Sequence, residues 1–134
     1  MAADKVEFEL VSPERLLLSA QVDMVVVPGA EGDFGVLPRH SPLISTLRPG
    51  IIRVFEGREV KQRIFVAGGF AEVTPERCTV LAEEAVPVGE IDAAKVDQEL
   101  KDLGDDLADA KSDDDKAAIA RRIKVREAMR AAAA

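Results

Sequence analysis

Every proline in the chain, and every glycine except Gly104, lies at or before Gly89. Proline removes a backbone donor and clashes inside a helix, and glycine weakens one, so long helices are confined to the residues beyond that point. Those residues are rich in Ala, Leu, Asp and Arg. The charge changes near the same place: residues 1–82 carry 9 basic and 11 acidic groups, residues 83–116 carry 4 and 13, and residues 117–134 carry 5 and 1. A length of 134 residues, 47% of them hydrophobic in type, suffices to bury one core but hardly two. We therefore expect a compact domain over residues 1–87 and an appendage over residues 88–134.

Before the boundary, the punctuation separates strand-length apolar runs. Val6-Glu-Phe8-Glu-Leu10 alternates with period two, Gln21 to Val27 is β-branched, and Ile51 to Phe55 comes after the turn signal Arg48-Pro-Gly50. Glu56-Gly-Arg58 reads as a hairpin connection to Val60–Val66. Gly68-Gly69 reads as a break, and Thr74 to Arg77 joins Phe70–Val73 with Cys78–Ala82. Turn signals at this spacing predict a small antiparallel β-sandwich.

After the boundary the period becomes helical. Val96, Leu100, Leu103, Leu107 and Ala110 step by four and three along one stripe, while Glu99, Asp102, Asp105, Asp106 and Asp109 lie on other faces. Ser112-Asp-Asp-Asp115 looks like a capping turn before a second helix, so the tail reads as a two-helix antiparallel hairpin. In that second helix Arg122, Arg126 and Arg130 repeat at i, i+4 and i+8, interleaved with Ile119 and Ile123. Such a helix lacks a clean apolar face and docks weakly.

Several functions are disfavoured. With one cysteine, Cys78, and one histidine, His40, neither an intrachain disulfide nor a multi-cysteine or His-based metal site can form. A net charge of −7, five Phe, no Trp and no Tyr argue against nucleic acid as a partner. No apolar run is long enough to span a bilayer, and charges stand where a signal peptide needs an apolar stretch, so a soluble product without direct membrane insertion is expected. Gly29-Ala-Glu-Gly32-Asp-Phe-Gly35 has neither dinucleotide nor P-loop spacing, and Pro38 and Pro42 forbid a phosphate-holding helix behind it. His40, Ser41 and Asp33 have the residue types of a hydrolase triad, and a small stand-alone hydrolase is the rival reading, although no nucleophile elbow is present.

Three segments together resemble the epsilon subunit of bacterial rotary ATP synthases, the counterpart of mitochondrial delta. The first runs from Val27 to Gly50 and contains Gly29, Gly32 and Gly35, then Pro38-Arg-His-Ser-Pro-Leu43 and Leu47-Arg-Pro-Gly50. The second is Phe65-Val-Ala-Gly-Gly-Phe-Ala-Glu-Val73, and the third is Val80-Leu-Ala-Glu-Glu-Ala85. The resemblance implies a sandwich of about ten strands bearing an α-helical hairpin, in a noncatalytic rotor subunit of the central stalk. It also implies that the sandwich joins the gamma subunit to the c-ring, peripherally at the cytoplasmic face of the inner (plasma) membrane. The hairpin is implied to reach the catalytic alpha/beta head and restrain ATP hydrolysis.

Glu31, Gly32 and Asp33, together with Arg39, His40 and Ser41, match the family's ring-facing loops, with Arg39 standing where the family has glycine. Arg122, Arg126 and Arg130 are the candidate grips on acidic groups, either Asp102, Asp106 and Asp109 of the first helix or acids of the head. Some relatives bind ATP through an Ile/Leu-Asp-x-x-Arg-Ala segment, which here reads Ile91, Asp92, Lys95 and Val96. Lysine does not reproduce the planar guanidinium fork, so ATP is at most a weak regulatory ligand and no cofactor is expected.

Overall fold

The computed structural model describes residues 4–133. The protein forms two compact units that meet in sequence between Pro87 and Val88.

The first unit is made of eight strands: β1 (Val6–Val11), β2 (Leu16–Val22), β3 (Met24–Gly29), β4 (Gly32–Val36), β5 (Leu43–Thr46), β6 (Gly50–Glu56), β7 (Glu59–Val73) and β8 (Arg77–Pro87). The hydrogen-bonded order is β2-β1-β8-β7-β6-β3-β4, with β5 also on β7. Two strands serve twice. The first half of β7, to Val66, pairs with β6, whereas Phe70–Val73 pairs with β5. The start of β8, Arg77–Leu81, pairs with β1, and β8 stays paired with β7 almost throughout. One layer thus holds β2, β1, the start of β8, the end of β7 and β5; the other holds the end of β8, the start of β7, β6, β3 and β4. Eight strands thereby fill the roughly ten strand places implied by the resemblance.

Alternation along each strand sends one face into a single core. Val6, Phe8 and Leu10 of β1 meet Val25, Val27, Ile52, Val54, Ile64 and Val66 of the other layer in one buried cluster. Phe8 and Ile52 are completely buried, and each stabilises the fold by roughly 1.5–3 kcal/mol through the apolar area it removes from water.

Four expectations change. The segment Gln21–Val27 is two strands, because the backbone turns at Asp23, whose carboxylate accepts from Lys5 Nζ at 2.6 Å and from the Gly57 amide. Gly68-Gly69 does not break its strand. Both residues have positive φ, and at Gly69 (φ 97°) a Cβ would lie 1.8 Å from the Leu81 carbonyl oxygen. The glycines let β7 bend from one layer to the other while its register with β8 holds. Gly32–Val36, where the resemblance puts a loop, is a strand hairpinned to β3, and Leu43–Thr46, unassigned between its neighbouring prolines, is a strand held by long-range pairing with β7. Finally, β1 and β8 pair in parallel, as strands with no direct hairpin connection between them can.

The second unit starts with a 3-10 turn, Val88–Glu90, followed by α1 (Ala93–Asp109) and α2 (Asp113–Ala133). Asp92 caps α1, its side chain accepting from the Lys95 amide at 3.2 Å, and Ser112 Oγ accepts from the Asp115 amide at 3.0 Å at the start of α2. The expected stripe is the shielded face of α1: Val96 is buried and Leu100, Leu103, Leu107 and Ala110 are half-buried. In α2 Met129 alone is buried. Among the described residues no helix is long and apolar enough to cross a membrane.

Candidate partner-binding sites

The loop residues singled out by sequence fall into two groups at opposite ends of β4 and β5. The turn Gly29–Gly32 lies where β5 ends: the Ala30 amide donates to the Thr46 carbonyl at 2.9 Å and the Arg48 amide to the Pro28 carbonyl at 3.0 Å. Arg48 Nη1 donates to the Gly29 carbonyl at 2.6 Å, and its Nη2 pairs with Asp33 Oδ1. The other carboxylate oxygen of Asp33 accepts from Arg53 Nη2 at 3.3 Å. Asp33 is therefore a brace of the turn, and Glu31 and Gly32 are left exposed at its tip. An open cleft of about 570 Å³ runs from this turn along β5 and is lined by Glu31, Asp33, Phe34, Ile44 and Thr46 among others.

Arg39, His40 and Ser41 lie beyond the other end of β4, about 13 Å of strand away at the usual rise per residue. There the Arg39 amide donates to the Pro75 carbonyl in the β7–β8 turn at 2.8 Å, and its guanidinium pairs with Asp4. Arg39 takes the left-handed conformation that favours glycine, with φ 66°. A residue with a Cβ pays about 1–2 kcal/mol for that conformation, whereas an exposed ion pair returns about 1 kcal/mol at most. His40 Nδ1 is 2.6 Å from the Ser41 carbonyl oxygen. A carbonyl only accepts, so Nδ1 carries the proton. This arrangement removes the triad: His40 donates to a backbone oxygen, Asp33 is held by two arginines at the far end, and the hydrolase reading falls.

Within the helical unit, Arg126 Nε pairs with Glu99 Oε2 at 2.9 Å and Arg130 Nε with Asp97 Oδ1 at 2.8 Å. The acids differ from those expected. In an antiparallel hairpin the C-terminal end of α2 meets the N-terminal half of α1, which carries Asp97 and Glu99. Asp102 instead accepts from Gln98 on its own helix. Arg122, one turn nearer the connection, lines an open depression with Asp106, Asp109 and Asp115.

Of the ATP-segment residues, Asp92 is engaged as the helix cap, Ile91 is half-buried with its amide donating to the Val88 carbonyl, and Lys95 is exposed. Among the described residues, no group of three or more His, Cys, Asp or Glu side chains could hold a metal ion. Cys78 is fully buried, and burial pushes its thiol up to about 12, so it is a core residue and no nucleophile.

A braced sandwich with exposed loops at both ends, joined to an ion-paired helical hairpin, has the makings of a noncatalytic adaptor. Residues 5–88 match the family described as "ATP synthase, Delta/Epsilon chain, beta-sandwich domain", and residues 92–133 match the C-terminal domain of the ATP synthase epsilon chain. The ATP synthase epsilon chain of Paramagnetospirillum magneticum is 58% identical over 132 residues, covering 98% of this chain and 99% of that one. That of Rhodospirillum rubrum is 54% identical over 130 residues, covering 97% of each. Among solved structures, a chain of the Euglena gracilis mitochondrial ATP synthase (OSCP/F1/c-ring) superposes with a TM-score of 0.82 at 24% identity, covering 97% of this chain and 82% of that one, and so shares its fold. The chain belongs to the ATP synthase delta/epsilon family. It is a noncatalytic subunit of an ATP synthase.

Proposed function

We propose that the protein is a rotor subunit of the central stalk that couples the gamma subunit to the c-ring through opposite ends of its sandwich. The observation that carries this reading is the separation of the two loop groups. A subunit that joins two partners needs two contact ends on a stiff body, and Glu31-Gly32 and Arg39–Ser41 supply one at each end of β4. With the two groups at opposite ends of β4, we assign the Glu31 end to the c-ring and the Arg39 end, which the resemblance also implied to face the ring, to gamma. The assembly then sits peripherally at the cytoplasmic face of the inner (plasma) membrane. Crosslinking tests the assignment: in a Cys78→Ala background, Glu31→Cys should link to a c subunit and Ser41→Cys to gamma in the assembled complex. Linkage of both to the same subunit would overturn the two-ended arrangement.

The helical hairpin is assigned a second role, restraint of ATP hydrolysis through the catalytic head. The supporting observation is that α1 and α2 are tied by the Arg126 and Arg130 ion pairs rather than by a large apolar seam, which favours exchange between partners. Replacing Arg122, Arg126 and Arg130 together by alanine should make the complex hydrolyse ATP faster than wild type at low salt, with the gap narrowing at high salt. Equal rates for mutant and wild type at every salt concentration would remove these residues from the restraint. ATP itself is assigned no strong site here, because the Asp92 carboxylate is committed to the helix cap and Lys95 replaces the family's arginine. Calorimetry with micromolar ATP should show no saturation.

A further inference from the structure

The protein's own stability does not account for Arg39. Its backbone hydrogen bond to the Pro75 carbonyl would form equally well with glycine, which adopts φ 66° without strain. Among the described residues its guanidinium reaches only Asp4, in a pair whose side chains are 79% and 57% exposed and so contributes little. Glu7 and Glu9 of β1 are engaged by Arg77, and Asp23 by Lys5. A strained residue with an exposed, weakly held cation points to a use outside the chain.

The segment around it is built for contact. Leu37 is 56% exposed, Pro38 and Pro42 restrict the backbone on either side, and His40 is fixed by its bond to the Ser41 carbonyl. A stiff loop that offers an apolar side chain beside a guanidinium loses little entropy on binding. It suits a carboxylate set in an apolar surface, which the planar fork of arginine grips with two hydrogen bonds.

We infer that the loop from Leu37 to Pro42 is a recognition site for a carboxylate-bearing segment of the protein partner at this end of the sandwich, with Arg39 as the specificity-determining residue. The inference rests on the reading of that end as a partner contact. Binding of the full-length protein to ATP synthase depleted of this subunit tests it, measured at low and high salt alongside the melting temperature of each variant. Arg39→Gly keeps the backbone conformation and removes the cation; it should melt no lower than wild type yet bind about threefold to tenfold more weakly at low salt, with the gap closing at high salt. Arg39→Lys should recover only part of the loss, and Asp4→Asn should not weaken binding, because it frees the guanidinium. Equal affinity of Arg39→Gly and wild type at low salt would overturn the inference, as would a loss in Arg39→Gly that salt leaves unchanged. If wild type itself fails to rebind the depleted complex, the coupling role fails, a result distinct from either.

Discussion

The sandwich and the hairpin are held together by different forces. In the sandwich, strands from both layers feed one continuous apolar cluster. In the hairpin, Val96 and Met129 are the buried hydrophobic residues, and arginine–carboxylate pairs link α1 to α2. Burial is short-ranged, steric and not weakened by electrostatic screening, whereas exposed charge pairs are weak and screened. The sandwich is therefore the part that must keep its shape, and the hairpin the part that can give it up.

Core deletion should separate the two most sharply. Phe8→Ala should destabilise the sandwich by about 3–5 kcal/mol in denaturant melts, and Leu103→Ala, half-exposed on α1, by about 1 kcal/mol or less. Comparable losses would show that the hairpin has a core of its own. Glycine replacement should give opposite signs. Gly69→Ala drives a Cβ into the Leu81 carbonyl and should cost about 3 kcal/mol or more, while Gly104→Ala, with open space around it inside α1, should raise helicity and stabilise by about 0.5–1 kcal/mol.

The alkaline limb of stability sharpens the comparison further. The Cys78 thiol rises from its ordinary 9.0 to about 12 through burial in the sandwich. Its folded pKa lies above the unfolded one, so its contribution is complete below about pH 9 and is lost as pH climbs toward 12. Melts over that range should steepen for the sandwich, and Cys78→Ala should flatten that slope. The smallest effect belongs to the hairpin: about 0.5 M salt should lower its helicity slightly through screening of Arg126–Glu99 and Arg130–Asp97, and leave the sandwich spectrum unchanged.

How much of this is legible in the sequence depends on the same division between local and distant causes. The Ser112 cap, the α1 stripe and the change of period at residue 88 depend on neighbours within a turn, and Ser112 and Val96 declare themselves by spacing, whereas the Asp92 cap shows only in the structure. Strands β4 and β5 do not, since Gly32, Gly35, Pro38 and Pro42 signal loop locally and the ladder to β3 and β7 decides otherwise. The site residues can be named from the motif, but their distribution cannot. Sequence proximity puts Glu31 and Arg39 eight residues apart, and a five-residue strand between them sets them at opposite ends. The acids facing the arginine stripe escape sequence reasoning for a related cause: which half of α1 meets which half of α2 depends on the antiparallel fold-back.

The passage of β7 from β6 to β5, with β8 alongside, has a mechanical meaning. In a sandwich whose layers touch only through side chains, a shearing load can slide one layer over the other. Here two continuous backbones cross between the layers, so sliding would require hydrogen-bonded ladders to break together. A twisting force applied at one end reaches the other through covalent backbone and paired strands, and little of it is lost to internal slip.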